Sequence, residues 1–136
     1  MTVLKSDQHN VPVAKKHKVV IIDPFPIFRH MLYKIILERI PQVEIIVADN
    51  VDPDLQNIKT ESPDVIFLDI ATFPKKCTDY IQSIKGSLPE TAIVILTTHD
   101  SNEHKAACLK NGADYFLSKN KTSGSRLIDI VEKTLS

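Results

Sequence analysis

Four short apolar runs in this chain each stop at or just before a polar residue. The runs and the polar residues that follow them are 19–22 with Asp23, 65–68 with Asp69, 93–96 with Thr97, and 115–117 with Lys119. If the runs are parallel strands, these four residues lie at one edge of one sheet, where α/β folds place their ligand sites. Two carboxylates, a hydroxyl and an ammonium suit a site that holds a cation and handles phosphoryl groups.

Length and charge narrow the classes of function. A chain of 136 residues fits one domain, and at this size roughly two thirds of the unfolded surface can be buried. The 17 Lys and Arg residues balance the 17 Asp and Glu residues, so no net positive field favours direct nucleic-acid or anionic membrane binding by this domain. Cys77 and Cys108 lie far apart in sequence, without the paired spacing of a zinc or redox motif.

The start of the chain differs from the rest. Residues 1–17 show no clear periodicity, and we expect a flexible tail there, followed by one domain over residues 18–136. No apolar stretch reaches the length of a membrane span, and residues 1–18 lack the apolar segment of a signal peptide. These features predict a cytoplasmic protein with no membrane partner.

From residue 18 onward, β-branched runs alternate with stretches of helical spacing, which predicts βα units and a parallel sheet. The helix after the first strand begins at Pro26 and ends before Pro41. Helix starts are indicated at Asn50 or Asp52, at Asp100 or Ser101, and at Thr122 or Ser123. The predicted strands are 18–23, 43–48, 64–70, 92–98 and 114–118. Five such units predict an α/β fold, flavodoxin-like, with a doubly wound five-stranded parallel sheet in the order 2-1-3-4-5.

In that order the strands ending at Asp23 and Asp69 are neighbours. Two adjacent carboxylates repel each other unless a cation lies between them, and Mg²⁺ suits hard oxygen ligands. Lys119 and Thr97 can contact phosphoryl oxygens as a point charge and a hydrogen-bond donor. Asp69 is then a candidate nucleophile toward phosphorus. Each of these residue types also has an ordinary structural role at a strand end, and the functional interpretation comes from the four together.

Residues 18–135 resemble a bacterial two-component response regulator receiver domain. The motifs that carry the resemblance are Val-Val-Ile-Ile-Asp23, Asp64-Val-Ile-Phe-Leu-Asp69, Ile-Leu-Thr97-Thr98 and Gly112-Ala-Asp-Tyr-Phe116-Leu-Ser-Lys119. The segment Asp23-Pro-Phe-Pro-Ile-Phe-Arg is similar to a subgroup usually fused to a DNA-binding helix-turn-helix output domain.

The resemblance implies a phosphorelay role. Asp69 is the expected phosphoacceptor, supplied by a sensor histidine kinase or a phosphotransfer protein, with Mg²⁺ required and with Lys119 and Thr97 contacting the phosphoryl oxygens. Phe116 matches the aromatic switch position. Phosphorylation is expected to change the face formed by helix 4, strand 5 and helix 5, and so to change partner binding or homodimer formation. As a regulator the protein is not expected to be a turnover enzyme.

The chain departs from the family pattern at the metal site. Pro24 occupies the position of a second acid and offers neither a side-chain oxygen nor an N–H. The expected metal ligands are therefore Asp23, Asp69 and the backbone carbonyl of Ala71, with weak Mg²⁺ binding. The loop after Asp69 places its proline, Pro74, one residue later than usual.

Other functions remain open at this point. One is a receiver-like protein-interaction module that works without phosphorylation, indicated by Pro24 and the altered loop. Another is a phosphatase of the haloacid dehalogenase type with Asp23 as nucleophile, although Phe25 stands where that family needs an acid. His99 is expected either to orient or block water at an acyl phosphate, or to be a solvated loop residue.

Overall fold

The computed structural model describes residues 2–5, 16–51, 55–72 and 77–136. The strands are β1 (Thr2–Lys5), β2 (Lys18–Ile22), β3 (Glu44–Ala48), β4 (Val65–Leu68), β5 (Ala92–Thr97) and β6 (Tyr115–Ser118). The α-helices are α1 (Pro26–Arg39), α2 (Leu55–Glu61), α3 (Cys77–Ser87), α4 (Asn102–Lys110) and α5 (Gly124–Leu135). A 3₁₀ turn follows β4 at Ile70–Thr72.

The six strands form one sheet in the order β1-β3-β2-β4-β5-β6. Strands β2 to β6 pair in parallel, which confirms the predicted five-stranded sheet of order 2-1-3-4-5. The order reverses between β2 and β4, where Ile22 pairs with Leu68. This register brings the residues after both strands to the same edge of the sheet.

Strand β1 was not expected from the sequence. Thr2–Lys5 pair antiparallel with β3, Thr2 opposite Val47 and Lys5 opposite Glu44. This differs from the predicted flexible tail over residues 1–17, because backbone pairing to an existing sheet edge needs no periodic side-chain pattern. Residues 6–15 of the expected tail lie outside the described residues, so the domain boundary at residue 18 stays a prediction.

The core has two halves, one on each face of the sheet. Residues 19–22 of β2 are fully buried and alternate between the two halves: Val19 and Ile21 face α1 and α5, while Val20 and Ile22 face α2, α3 and α4. Burial on both faces explains the continuous apolar runs of the sequence. The sheet is therefore covered by helices on both faces, and its carboxyl edge lies between the two layers of helices.

Several predicted helix ends are confirmed. Pro26 is the first residue of α1, and Ser101 and Ser123 cap α4 and α5 with hydroxyls that accept backbone N–H bonds. Gly112 follows α4 with a φ of 118°, a left-handed conformation that commonly closes a helix. Of the two expected caps for α2, Asp52 lies outside the described residues. The predicted strand 64–70 is shorter in the structure, since the chain turns into the 3₁₀ helix directly after Asp69.

The two cysteines lie closer together than the sequence suggests. Cys77 opens α3 and Cys108 is on α4, and both are buried in the same half of the core. Burial first, and the Cys77 thiol second, raise the pKa of the Cys108 thiol to about 12. Both are free thiols. Within the described part of the chain, no helix is both long and apolar enough to cross a membrane.

Candidate functional site

The predicted site residues meet at the carboxyl edge of the sheet. Asp23 follows β2, Asp69 follows β4, Thr97 ends β5 and Lys119 follows β6. Backbone bonds extend the ladder by one residue there: Asp69 N–H donates to the Ile22 carbonyl at 3.0 Å, and Lys119 N–H donates to the Thr97 carbonyl at 2.9 Å. The geometry expected from the strand ends is therefore present.

Lys119 joins the two carboxylates. Its Nζ lies 2.7 Å from Asp23 Oδ2 and 2.7 Å from Asp69 Oδ2. All three side chains are buried, with 7% of the Lys119, 4% of the Asp23 and 0% of the Asp69 side chain exposed. A buried ammonium shared by two buried carboxylates leaves a local charge of minus one when all three are ionised. Such a group is stable only as a set, since each charge needs the others.

The second Asp69 oxygen also has donors. Thr97 Oγ1, fully buried, donates to Asp69 Oδ1 at 2.7 Å, and the backbone N–H of Ala71 donates to the same oxygen at 2.9 Å. The Thr97 hydroxyl in turn accepts the backbone N–H of His99 at 3.1 Å. Asp69 is thus held in one orientation, with its carboxylate directed at Lys119 and Thr97.

Asp23 is fixed by the start of α1. Its Oδ1 accepts the backbone N–H of Phe25 at 2.8 Å, and its carbonyl accepts the Arg29 guanidinium. Burial raises the pKa of Asp23 above its ordinary value, and the hydrogen bond from Lys119 acts in the opposite direction. Burial is the larger effect, so the ionised form of Asp23 is less favoured than that of an exposed carboxyl.

Two phenylalanines that the sequence analysis did not assign to the site cover Lys119. The ammonium lies 4.1 Å from the centre of the Phe28 ring and 4.7 Å from that of Phe25. Both distances are within the range of cation–π attraction. The only sequence feature that could have indicated this contact is the pair of aromatic residues, Phe25 and Phe28, at the start of α1.

Three further predicted residues have surroundings that do not by themselves define the predicted roles. Phe116 is on β6 beside Ile95, half-buried and packed against the core on the α3 and α4 side. His99 is exposed, with its ring 6.3 Å from that of His104. Ala71 contributes its N–H to Asp69, and the metal contact expected of its carbonyl stays a prediction. The switch role of Phe116 stays a prediction as well.

The side chains at this edge offer few oxygens to a divalent cation. Within residues 2–5, 16–51, 55–72 and 77–136, no three His, Cys, Asp or Glu side chains gather as metal ligands. Asp23 and Asp69 provide two carboxylates, but one oxygen of each, Oδ2, already contacts Lys119 Nζ at 2.7 Å. Pro24, beside Asp23, adds no oxygen from its side chain. The residues present do not assemble a complete Mg²⁺ site while Lys119 is in place.

Comparison with known proteins decides the family. A sequence model of the response regulator receiver domain matches residues 19–132. This chain belongs to that family. The fold and the sheet order agree with this assignment, and residues 19–132 form a receiver domain of the two-component response regulator type.

Relatives of this receiver domain are mainly regulators. An uncharacterized response regulatory protein of Vibrio cholerae is 34% identical over 120 residues, which cover 86% of this chain and 44% of that protein. A protein-glutamate methylesterase/protein-glutamine glutaminase of Vibrio vulnificus is 32% identical over 107 residues, 76% of this chain and 31% of that protein. The chain spans half or less of the length of these two relatives.

Solved structures show the same fold. The signal receiver domain of the putative response regulator NarL from Mycobacterium tuberculosis has a TM-score of 0.77 at 22% identity, covering 88% of this chain and 96% of that one. A response regulator protein from Burkholderia pseudomallei has a TM-score of 0.71 at 22% identity, covering 89% and 67%. The latter contains a phosphorylated aspartic acid, a calcium ion and citrate. Receiver domains generally bind Mg²⁺, and response regulators act with histidine kinases and often carry DNA-binding output domains.

Proposed function

We propose that Asp69 of this receiver domain accepts a phosphoryl group from the phosphohistidine of a sensor histidine kinase or a phosphotransfer protein. The observation that carries the proposal is the convergence on one carboxylate of Lys119 Nζ at 2.7 Å and Thr97 Oγ1 at 2.7 Å. Phosphoryl transfer needs little covalent chemistry from the protein beyond the nucleophile, and depends on positioning and charge stabilisation. These contacts supply both.

The proposed step forms one bond and breaks one. An Asp69 oxygen attacks phosphorus, the P–N bond of the phosphohistidine breaks, and the departing imidazole nitrogen keeps the electron pair. The Lys119 ammonium then lies beside the new phosphoryl oxygens, and the Thr97 hydroxyl can donate to one of them. Because Asp69 is 1% exposed, one of its present partners must release an oxygen before the donor can reach it.

A protein donor fits the surface around the site. Phe25, Ile27 and Met31, at the start of α1, are exposed large apolar side chains, with Ile27 86% exposed. A cluster of exposed apolar side chains on a protein surface often marks an interaction site. Their position beside Lys119 supports docking of the donor over this end of α1.

The output is proposed to follow from the site. On phosphorylation the Thr97 hydroxyl leaves the Asp69 oxygen to which it donates in the unphosphorylated protein, and Phe116 turns inward. The face formed by α4, β6 and α5 then changes its affinity for a partner or for a second copy of the chain. In this proposal the domain is a cytoplasmic regulator and not a turnover enzyme, and it does not bind nucleic acid itself.

The test is intact-mass spectrometry after incubation with phosphoramidate. We expect a single phosphate adduct on the wild-type chain and none on Asp69→Asn, which keeps the shape of the side chain. Asp79→Asn, at an exposed position of α3, is the matched control and should give the wild-type adduct. No adduct on the wild type, or an adduct that persists in Asp69→Asn, contradicts the proposal.

A second candidate function is a receiver-like interaction module that signals without phosphorylation. Two observations favour it: Pro24 in place of an acid, and the buried contact of Lys119 with both carboxylates. In that case Asp69→Ala should leave partner binding and dimerisation unchanged, as measured by pull-down with the kinase and by analytical ultracentrifugation. Loss of a phosphorylation-induced change in the same variant favours the first proposal.

A further inference from the structure

The Lys119 ammonium is surrounded on several sides by charge and aromatic surface. It contacts Asp23 Oδ2 and Asp69 Oδ2 at 2.7 Å each and lies over the Phe28 and Phe25 rings at 4.1 and 4.7 Å. An ammonium has three N–H donors, and two of them have carboxylate acceptors here. The side chain is 7% exposed, so the contacts are shielded from water and salt.

The other carboxylate oxygens also accept hydrogen bonds. Asp23 Oδ1 accepts the Phe25 N–H, and Asp69 Oδ1 accepts both the Thr97 hydroxyl and the Ala71 N–H. A Mg²⁺ ion needs oxygens at about 2.0–2.1 Å in near-octahedral geometry. To bind between the carboxylates it would have to displace Lys119 and break its contacts with both rings.

The chain holds Lys119 in this position from several directions. Its backbone N–H donates to the Thr97 carbonyl at 2.9 Å, at the end of the β5–β6 ladder. Phe25 is fixed by its own N–H bond to Asp23, and Phe28 lies in the first turn of α1, which packs against α5. The lysine is therefore a built-in part of the edge site.

We infer that Lys119 is the resident cation of this site and takes the place of a divalent ion. Asp23 and Asp69 then do not bind Mg²⁺ at millimolar concentrations, and the magnesium set predicted from the sequence does not form. The Phe25 and Phe28 rings are positioning residues that keep the ammonium between the carboxylates.

For phosphoryl acceptance the inference rests on the proposed function and deepens it. With phosphoramidate as donor, an Asp69 oxygen forms the new P–O bond and the P–N bond breaks. The nitrogen leaves with the electron pair and takes a proton from solvent to give ammonia. Lys119 supplies the positive charge next to the phosphoryl oxygens, so the step should proceed in the presence of a chelator.

The first experiment measures Mg²⁺ binding alone. Purified chain is titrated with MgCl₂ while Tm is followed by calorimetry and the amide signals of Asp23 and Asp69 by NMR. We expect the wild-type Tm to change by less than about 1 °C and the two amide signals to stay in place. Pro24→Asp adds a third carboxylate beside Asp23, and we expect it to gain both a Tm rise and amide shifts.

Lys119→Met gives the complementary test. Removing the ammonium leaves two carboxylates facing each other, and MgCl₂ should raise the Tm of this variant, whereas Lys121→Met, at an exposed position nearby, should behave as the wild type. If Lys119→Met does not fold, Pro24→Asp still decides. A wild-type Tm rise and amide shifts equal to those of Pro24→Asp would overturn the inference.

The second experiment separates the inference from the proposed function. The wild-type chain is treated with phosphoramidate in excess EDTA or in MgCl₂, and the adduct is followed by intact mass. Equal adduct formation within about threefold supports the inference. An adduct that forms only with MgCl₂ overturns the inference and leaves the proposed function intact. No adduct in either condition contradicts the proposed function, and the titration then decides the inference by itself.

Discussion

Replacing Lys119 with methionine is the most informative single change to the stability of this domain. The variant keeps the aliphatic length of the side chain but leaves Asp23 and Asp69 buried and facing each other. Removing one partner of a buried ion pair typically costs about 3–5 kcal/mol. Protonation of one carboxyl removes the repulsion between the two carboxylates. Holding that carboxyl protonated near pH 7 costs about 4 kcal/mol, at roughly 1.4 kcal/mol per pKa unit. Both routes predict a loss of about 4 kcal/mol.

The loss should depend on pH with a definite sign. Burial already raises the pKa of Asp23, and the Lys119 hydrogen bond opposes that effect. Without Lys119 the folded-state pKa rises further above the unfolded value of 3.8, so the variant is least disadvantaged below that value and loses stability as pH rises.

Urea denaturation followed by circular dichroism, repeated from acidic to neutral pH, measures both quantities. Lys121→Met is the control, and its free energy of unfolding should stay within about 0.5 kcal/mol of the wild type. A loss under about 1 kcal/mol for Lys119→Met at neutral pH, or a loss that grows as pH falls, would refute the buried ion contact.

Three smaller changes test other parts of the structure. Thr97→Val removes the hydroxyl that donates to Asp69 and should lower the free energy of unfolding by about 2 kcal/mol, measured in urea against Thr98→Val at the exposed neighbouring position. The Cys108 thiol, with its pKa raised by burial to about 12, should resist iodoacetamide in the folded protein near pH 8 and react in urea. Gly112→Ala, at a φ of 118°, should cost about 1–2 kcal/mol, whereas Gly86→Ala, inside α3 with open space around it, should stabilise by up to about 1 kcal/mol.

Each of these has an outcome that contradicts it. Equal losses for the two threonine variants would remove the Asp69 hydrogen bond as a stabilising contact. Labelling of Cys108 in the folded protein as fast as in urea would show that the thiol is accessible. Because the pKa of this thiol is raised by folding, the free energy of unfolding should also fall as pH rises from the ordinary thiol pKa of 9.0 toward about 12. A stabilising Gly112→Ala would contradict the left-handed turn after α4.

Much of the fold was predictable because buried parallel strands leave a strong sequence signal. The strands at 19–22 and 65–68 are apolar at every position, and the structure buries each of those residues completely or nearly so. Strand β1 was missed, since its pairing with β3 is a contact between distant backbones with no periodic pattern to mark it. The Cys77 and Cys108 contact was missed for a related reason: the packing of α3 on α4 creates it.

The site was predictable to the extent that strand ends determine it. The four site residues converge because each one follows or ends a strand whose neighbours in the sheet are set by the predicted strand order: Asp23, Asp69, Thr97 and Lys119. The aromatic cover could not be predicted in the same way, because the direction of a ring at the start of α1 depends on how that helix tilts over the sheet. The replacement at Pro24 was visible in the sequence, and its consequence for the cation became clear only with the 2.7 Å contacts of Lys119.

The most direct test of the central claim is to locate the phosphoryl group itself. Borohydride reduces an aspartyl phosphate to homoserine, so a chain treated with phosphoramidate, reduced and digested reports the acceptor by peptide mass. The account predicts homoserine at position 69 in the wild type and no homoserine in Asp69→Asn. Homoserine at Asp23 or at an exposed aspartate, or none at position 69, would contradict the assignment of Asp69 as the acceptor.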